Sequence, residues 1–295
     1  MTKVIRATEA ESGSEFNVVA QAARTAAVAA ARARVTLHEV EDMPELRRVS
    51  RLFESVWGRT PEGVPVNSEV LRSLVHAGGC TTAAFDHTGE LVGAAALVLA
   101  APAGTTYSLL AAVSPGASDQ GIGRAVKLRQ RAWALERGHT SMLWTFDPLV
   151  GRNARFNLVR LGAVAAEYAV AFYGEMADRI NGADEADRLV ARWTLGSRRA
   201  IAASEGTAAE TFGPTQTSHT LAEAPDGRPL VREDDTGRWV RVPTDIVVLR
   251  RTDPRVSEQW RTAVRRALVD AFGRSLVATH LTRDGWYLLE KENRA

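Results

Sequence analysis

The chain has 295 residues, 45% hydrophobic and 24% charged, with a formal net charge of +2. That is an ordinary globular mix, long enough for one large domain or two modest ones, and so small a charge with no basic, aromatic-interleaved stripe argues against nucleic acid as partner. A lone cysteine, Cys80, excludes an internal disulfide and a cysteine metal cluster, the histidines lack the i, i+4 spacing of a helical metal site, and no apolar run reaches the ~18 residues of a membrane span.

Residues 1–16 read as a polar terminus. Val18 to Arg34 is alanine-rich and free of acids, which predicts a helix packing by a small-residue face. An amphipathic mitochondrial presequence is the competing reading, for which alanine makes a poor apolar face. Val35–Val40 reads as a strand, and Pro44–Trp57 as a helix with Leu46, Val49, Leu52, Phe53 and Val56 inward. A loop with Pro61 and Pro65 leads to a short helix near Ser68–His76. Cys80–Phe85 and Leu91–Leu99 predict a hairpin across Asp86-His87-Thr88-Gly89-Glu90. Tyr107–Val113 is a further strand and Gly121–Arg137 a helix with Ala125, Leu128, Ala132 and Leu135 at helical spacing. A strand (Ser141–Phe146), a helix (Asn153–Leu161) and a strand (Ala165–Phe172) follow, giving a mixed α/β sheet flanked by helices.

Between 197 and 242 Ala, Thr, Glu and Gly dominate, punctuated by Pro214, Pro225 and Asp226-Gly227, which predicts a linker with at most one hairpin. In the tail, Ile246–Leu249 reads as a strand, Val256–Phe272 as an amphipathic helix, and Ser275–Leu281 with Trp286–Glu290 as a hairpin across Arg283-Asp284-Gly285. This βαββ order copies the opening of the first domain, either as a degenerate half-repeat or as a common local pattern.

The chemistry concentrates at Val113-Ser114-Pro115, followed by Ser118-Asp119-Gln120-Gly121-Ile122-Gly123 and a long helix. A strand that ends in a glycine-bearing loop opening a helix makes an anion site, with outward N–H groups and a favourable helix dipole. Gly121 and Gly123 let backbone approach a phosphate without an intervening Cβ. Two glycines alone are weak support, since most such loops are plain strand-to-helix turns. No G-x-x-x-x-G-K-[ST] occurs, which excludes a P-loop nucleotidase. The loop follows several strands and lacks a third glycine, unlike a dinucleotide-binding Rossmann turn.

With Pro115, Gly121 and Gly123 in that context, the chain resembles the GNAT N-acyltransferase superfamily. More narrowly it is similar to a bacterial branch carrying Trp144-Thr145-Phe146-Asp147-Pro148-Leu149, Arg152-Asn153-Ala154-Arg155-Phe156-Asn157-Leu158 and Leu161-Gly162-Ala163. Tyr168, Phe172-Tyr173-Gly174-Glu175-Met176, Asp187-Arg188-Leu189-Val190 and Trp193 extend the match, as do Val56-Trp57-Gly58, Ala77-Gly78-Gly79, Trp260-Arg261 and Arg265. The resemblance spans roughly residues 20–290. It divides the chain into an N-terminal tail and helix (1–34), an acyltransferase domain (35–196), the linker (197–242) and a C-terminal subdomain (243–295).

The resemblance implies a donor of the acyl-CoA type (acetyl-, succinyl- or longer acyl), an amine acceptor that is a small molecule, amino-acid-like or a peptide, and no metal. The pantetheine arm would pair with the strand through Ala111 and Val113 as an added strand. The pyrophosphate would sit on the N–H groups of Ser118, Gln120, Gly121, Ile122, Gly123 and Arg124. Asn153 and Asn157, four residues apart on one helix, would face the pantetheine amides, with Asn153 alternatively the N-cap. Direct transfer needs a base for the ammonium and an acid for the thiolate, and no Ser or Cys nucleophile. The superfamily's usual tyrosine acid falls at Leu158 here. Tyr173 is the substitute acid, with Glu175 and Asp147 as bases; a plain turn is the structural reading of both carboxylates.

Four further positions depart from the branch. Ser118 stands where a basic residue is usual, Asp119 where a glycine is, and Leu109 and Leu110 where His and Met are. A less cationic loop and a more apolar strand suit a phosphopantetheine donor on an acyl carrier protein with a longer chain; the other alternative is a non-catalytic binding module. The tail is expected to cover the acyl site or to form a homodimer contact, and the setting to be cytoplasmic, with no membrane partner.

Overall fold

Helices begin where the sequence supplies a side-chain acceptor. Asp42 takes the Glu45 N–H at 2.9 Å and Asn67 takes the Val70 N–H at 2.8 Å, each opening a predicted helix. The computed structural model describes residues 5–59, 64–174, 185–209 and 212–292, with side chains from residue 17 onward. The elements run α1 (Ile5–Ala33), β1 (Thr36–Glu39), α2 (Met43–Trp57), α3 (Ser68–His76), β2 (Cys80–Phe85), β3 (Leu91–Ala100), β4 (Thr105–Val113) and α4 (Ile122–Glu136). Next come β5 (Ser141–Phe146), α5 (Gly151–Arg155) continued by a π-helical turn (Phe156–Arg160), β6 (Val164–Ala169), β7 (Arg188–Thr194) and α6 (Arg198–Glu205). The remainder is β8 (His219–Glu223), β9 (Pro229–Asp234), β10 (Gly237–Arg241), α7 (Ile246–Thr252), α8 (Pro254–Gly273), β11 (Leu276–Leu281) and β12 (Trp286–Lys291).

The chain divides into two units, Met1–Leu143 with Thr194–Glu205, and Trp144–Trp193 with Gly206–Ala295. In the first, strands run in the order β1-β2-β3-β4-β5, antiparallel until β4 and β5, which are parallel. The small run Gly93-Ala94-Ala95-Ala96 puts β3 between helices on both faces, with α2 on one and α4 on the other. The α2 face holds Val40, Leu46, Val49, Leu52, Phe53, Leu71, Ala94 and Ala112.

Helix α1 lies antiparallel on α4. Ala33 Cβ is 3.9 Å from the Cβ position of Gly121, while Gln21 accepts from Arg131 at 2.9 Å. Arg131 also donates to the Leu195 carbonyl at 2.8 Å, so its fully buried guanidinium ties α4 to the α6 segment. One turn earlier, Lys127 is buried with its Nζ 3.8 Å from Met142 Sδ; burial pulls this ammonium down to about 7.

In the second unit the order is β7-β6-β11-β12-β10-β9-β8, with the end of β5 beside β7. Trp193, Trp239 and Tyr287 are fully buried in it, and Trp144 meets Trp193 edge-on at 5.9 Å. Helix α8 buries Trp260, Val264, Leu268 and Ala271.

Three expectations need correction. The region 197–242 is not a linker: it forms α6 and the three strands β8–β10. Its turns at Asp226-Gly227 and Asp235-Thr236-Gly237 close successive hairpins rather than open coil. Ile246–Thr252 is a helix and not a strand, because Asp245 caps it by accepting the Val248 N–H at 3.0 Å. With β10 before them, the two helices give β10-α7-α8-β11-β12, the chain order of β1-α2-α3-β2-β3, but β10 pairs with β12 where β1 pairs with β2. Finally, α1 begins at Ile5, where Ala7-Thr8-Glu9-Ala10-Glu11, with its alanines and glutamates, continues the helix-forming composition into the expected polar terminus.

Candidate active site

Strand β4 pairs with β5 only at Thr105–Tyr107 against Ser141–Leu143. From Ser108 to Val113 it keeps β3 on one side, while among the described residues its other edge carries no ladder. Leu110 lies opposite Ala96 and Ser108 opposite Leu97, so Leu109 is an extra, bulged residue that bends β4 where the two strands part. Ala111 and Val113 sit on this free edge, with Ala111 exposed and Val113 half-buried. An edge with unpaired N–H and C=O groups invites a strand-like partner.

That edge runs straight into the glycine loop. Pro115–Ala117 form a single 3-10 turn, then Ser118, Asp119, Gln120 and Gly121 lie exposed. Gly121 is the N-cap of α4 at φ 82°, and no side chain caps the helix. As at any helix N-terminus, the first N–H groups of α4 find no acceptor within the helix, which makes this end a natural place for an anion. Asp119 is left-handed at φ 65°, a conformation that favours the glycine expected there. One terminal nitrogen of the Arg124 guanidinium donates to the Ala203 and Ser204 carbonyls at 3.1 and 2.7 Å.

Gly93, which sequence reasoning passed over, sets the position of this helix end. It pairs with Val113, and a Cβ on it would lie 2.6 Å from Ile122 Cγ2. A glycine inside an otherwise apolar strand was the available signal.

The remaining candidates lie in the second unit. Asp147 is buried and occupied: Oδ1 accepts the Leu149 N–H at 2.8 Å and Oδ2 the Arg250 guanidinium at 2.7 Å. This gives it the turn-ordering role. The Tyr287 hydroxyl donates to the neighbouring Pro148 carbonyl at 2.7 Å. Asn153 is the third residue of α5, whose N-cap is Val150, so it is not the cap; it is exposed. Asn157 lies in the π-helical turn, 3% exposed, with Nδ2 lacking a protein partner. The wider turn breaks the simple i, i+4 relation, and the two amides meet different environments.

Tyr173 is half-exposed, its hydroxyl 3.4 Å from Thr145 Oγ1, its ring edge-on to Phe172 at 4.7 Å and under the Arg188 guanidinium at 5.3 Å. Tyr168 donates to Asp187 at 2.7 Å, and burial, then that carboxylate, push its phenol up, out of acid range. Glu175 lies outside the described residues. Among the described residues no cluster of His, Cys, Asp or Glu could hold a metal, and no helix is long and apolar enough to cross a membrane.

No protein-family model matches the chain, and no curated protein sequence does. Solved structures resemble about half of it. A GNAT superfamily phosphinothricin acetyltransferase from Sinorhizobium meliloti, in complex with AcCoA, is 20% identical with a TM-score of 0.44, over 54% of this chain and 87% of its own. The ribosomal-protein-S18-alanine N-acetyltransferase of Escherichia coli is 14% identical with a TM-score of 0.44, over 55% and 94%. An acetyltransferase of the GNAT family from Streptococcus pneumoniae is 13% identical, also at 0.44, over 54% and 97%. Likenesses this distant carry no inference about substrate or chemistry.

Proposed function

We propose that the chain is an N-acyltransferase that moves an acyl group from an acyl-CoA thioester to an amine by direct transfer. The observation that carries this reading is the free edge of β4 from Ser108 to Val113 leading into the uncapped N-terminus of α4. The edge extends about 20 Å as a strand, offering amide-pairing groups along its length and an anion site at its end. A ligand with amides in an extended arm and a phosphate at the far end has that sequence of groups. The sequence resemblance around Trp144–Ala163 supports the same donor.

In this reaction the amine nitrogen attacks the thioester carbonyl carbon and the carbon–sulfur bond breaks. The departing thiolate takes the phenolic proton of Tyr173, and the proton lost by nitrogen returns to the phenolate through water. Asn157 supplies a buried donor that lacks a protein acceptor, which suits a pantetheine carbonyl. Asp147 holds its turn against Arg250 and takes no part in proton transfer. The acceptor is an amino-acid-like or peptide amine.

A second reading has its own support. The loop from Ser114 to Gly121 holds no Lys or Arg and carries Asp119. A donor with one phosphate, phosphopantetheine on an acyl carrier protein, fits such a loop better than the several phosphates of CoA.

Calorimetric titration with CoA, acetyl-CoA, succinyl-CoA, a long-chain acyl-CoA and a holo acyl carrier protein separates these. Micromolar binding of a CoA ester supports the first reading, and binding of the carrier alone supports the second. No binding to any of them leaves a non-catalytic module.

A further inference from the structure

The turn that carries Tyr173 is held in a conformation its own sequence disfavours. Ala171 is left-handed at φ 46°, although alanine has a Cβ and gains nothing there that glycine would not. Three hydrogen bonds maintain it. The Ala171 N–H donates to Asp187 Oδ1 at 3.0 Å, the Phe172 N–H to the Ala186 carbonyl at 3.0 Å, and the Gly174 N–H to the Ala171 carbonyl at 2.8 Å.

Asp187 is the hub. Its side chain is 3% exposed and its carboxylate takes four donors: the Ala171 N–H, the Tyr168 hydroxyl, and Nε and one terminal nitrogen of Arg265, these last two at 2.8 Å. Arg265 belongs to α8, and Glu185 bridges it to Arg261 of the same helix. From the other side, Arg188 donates to the Asp187 carbonyl at 2.9 Å while its guanidinium covers the Tyr173 ring. Turn, ring and helix therefore converge on one residue, the turn and α8 on its carboxylate and the Tyr173 ring, through Arg188, on its carbonyl.

We propose that Asp187, fixed by Arg265 of α8, is the positioning residue for Tyr173, so that the C-terminal helix serves the reaction by orienting the acid. This rests on the assignment of Tyr173 above. A hub made only for stability needs neither a left-handed alanine nor a phenol standing half in solvent on the turn it pins. Neither Asp187 nor Arg265 transfers a proton; both act through the turn from Ala171 to Gly174.

The test uses the full chain, with Tyr173→Phe, Arg265→Ala, Arg265→Lys and Asp187→Asn, and with Arg265→Ala and Asp187→Asn repeated in the Tyr173→Phe background. Initial rates of thiol release from acetyl-CoA are measured with an equimolar mixture of amino acids as acceptor. In parallel, tyrosine labelled at 13Cζ reports the Tyr173 resonance, assigned from Tyr173→Phe. Expected results are a fall of about tenfold or more in kcat for Tyr173→Phe and for Arg265→Ala, with KM for acetyl-CoA within about twofold. Arg265→Lys recovers part of the loss, and neither Arg265→Ala nor Asp187→Asn lowers kcat further once Tyr173 is phenylalanine. Equal losses in both backgrounds would overturn the inference. Full kcat in Tyr173→Phe sinks the acid assignment instead. The resonance then decides, as it does if no turnover is seen: it moves or broadens in Arg265→Ala and Asp187→Asn if they position the ring, and an unmoved resonance sinks the inference.

Discussion

Gly93 and Ile122 meet with room for a hydrogen and nothing larger: a Cβ on the glycine would stand 2.6 Å from the isoleucine Cγ2. Ile122 is the first residue of α4, so the end of that helix rests on a missing side chain in β3. Gly93→Ala is expected to destabilise the fold by ~1–3 kcal/mol through overpacking. On the proposed function it also weakens CoA binding several-fold, because the N–H groups of residues 122–124 move off the loop. Thermal unfolding and calorimetry on one protein check both effects. Unaltered CoA affinity in a destabilised variant would separate the helix end from the ligand.

Lys127 makes stability depend on pH in a definite direction. Its ammonium titrates at about 7 in the fold against 10.5 in the unfolded chain. Between those values the unfolded state binds a proton that the native state lacks, so its contribution makes stability rise with pH through that window. Below about 7 both states are protonated and the penalty is constant. Lys127→Met should remove this slope and stabilise the protein at neutral pH by ~1–3 kcal/mol. Urea unfolding of both proteins at several pH values measures it.

The pair Asp147–Arg250 is nearly closed to solvent, with side chains 9% and 8% exposed. Arg250→Ala should lower stability by ~3–5 kcal/mol, since it leaves a buried carboxylate without its cation. Removing both charges, as Asp147→Asn with Arg250→Met, should be much milder. Tyr287→Phe leaves the nearby Pro148 carbonyl without its donor and should lower stability by ~1–2 kcal/mol. Chemical denaturation of the four proteins decides, and a mild Arg250→Ala would mean the turn tolerates a bare carboxylate.

Asn157 offers the opposite trade. Its Nδ2 is buried with no protein partner, so Asn157→Ala should reduce the stability of the free protein by less than ~1 kcal/mol. The same change should weaken acyl-CoA binding by about five- to tenfold on the proposed function, the value of one buried hydrogen bond. A large loss of stability with full CoA affinity would make Asn157 an internal residue of the core.

Local signals were legible in the chain wherever a helix has its own cap and stripe. Leu46, Val49, Leu52, Phe53 and Val56 placed α2 to within a residue, and the expected helix near Ser68–His76 is α3; Asp42 and Asn67, which cap them, were signals not used. Strand β7 was readable but missed: Leu189, Ala191 and Trp193 alternate inward, yet Arg188 before them and Arg192 among them obscure the pattern. Strands β8–β10 are short and polar on one face, so composition resembled a linker until the turns were paired with partners. At the site the glycine loop was visible because a strand-to-helix loop is contiguous in sequence. The parting of β4 from β5 was not, because pairing is a property of two distant segments. Nor was the Asp187 hub, whose donors come from Tyr168, Ala171 and Arg265.

The burial of Lys127 also bears on the reactivity of the chain toward its own proposed donor. The sequence holds three lysines, Lys3, Lys127 and Lys291. An amine pulled down to about 7 has a far larger neutral, nucleophilic fraction near neutral pH than an ordinary lysine. Burial acts twice: it lowers the pKa of this amine and it shields the amine from thioesters in solution, and on exposure the pKa returns toward 10.5. Acylation at Lys127, read by mass spectrometry after exposure to acetyl-CoA, thus becomes a clock for the transient lifting of α4 from the sheet.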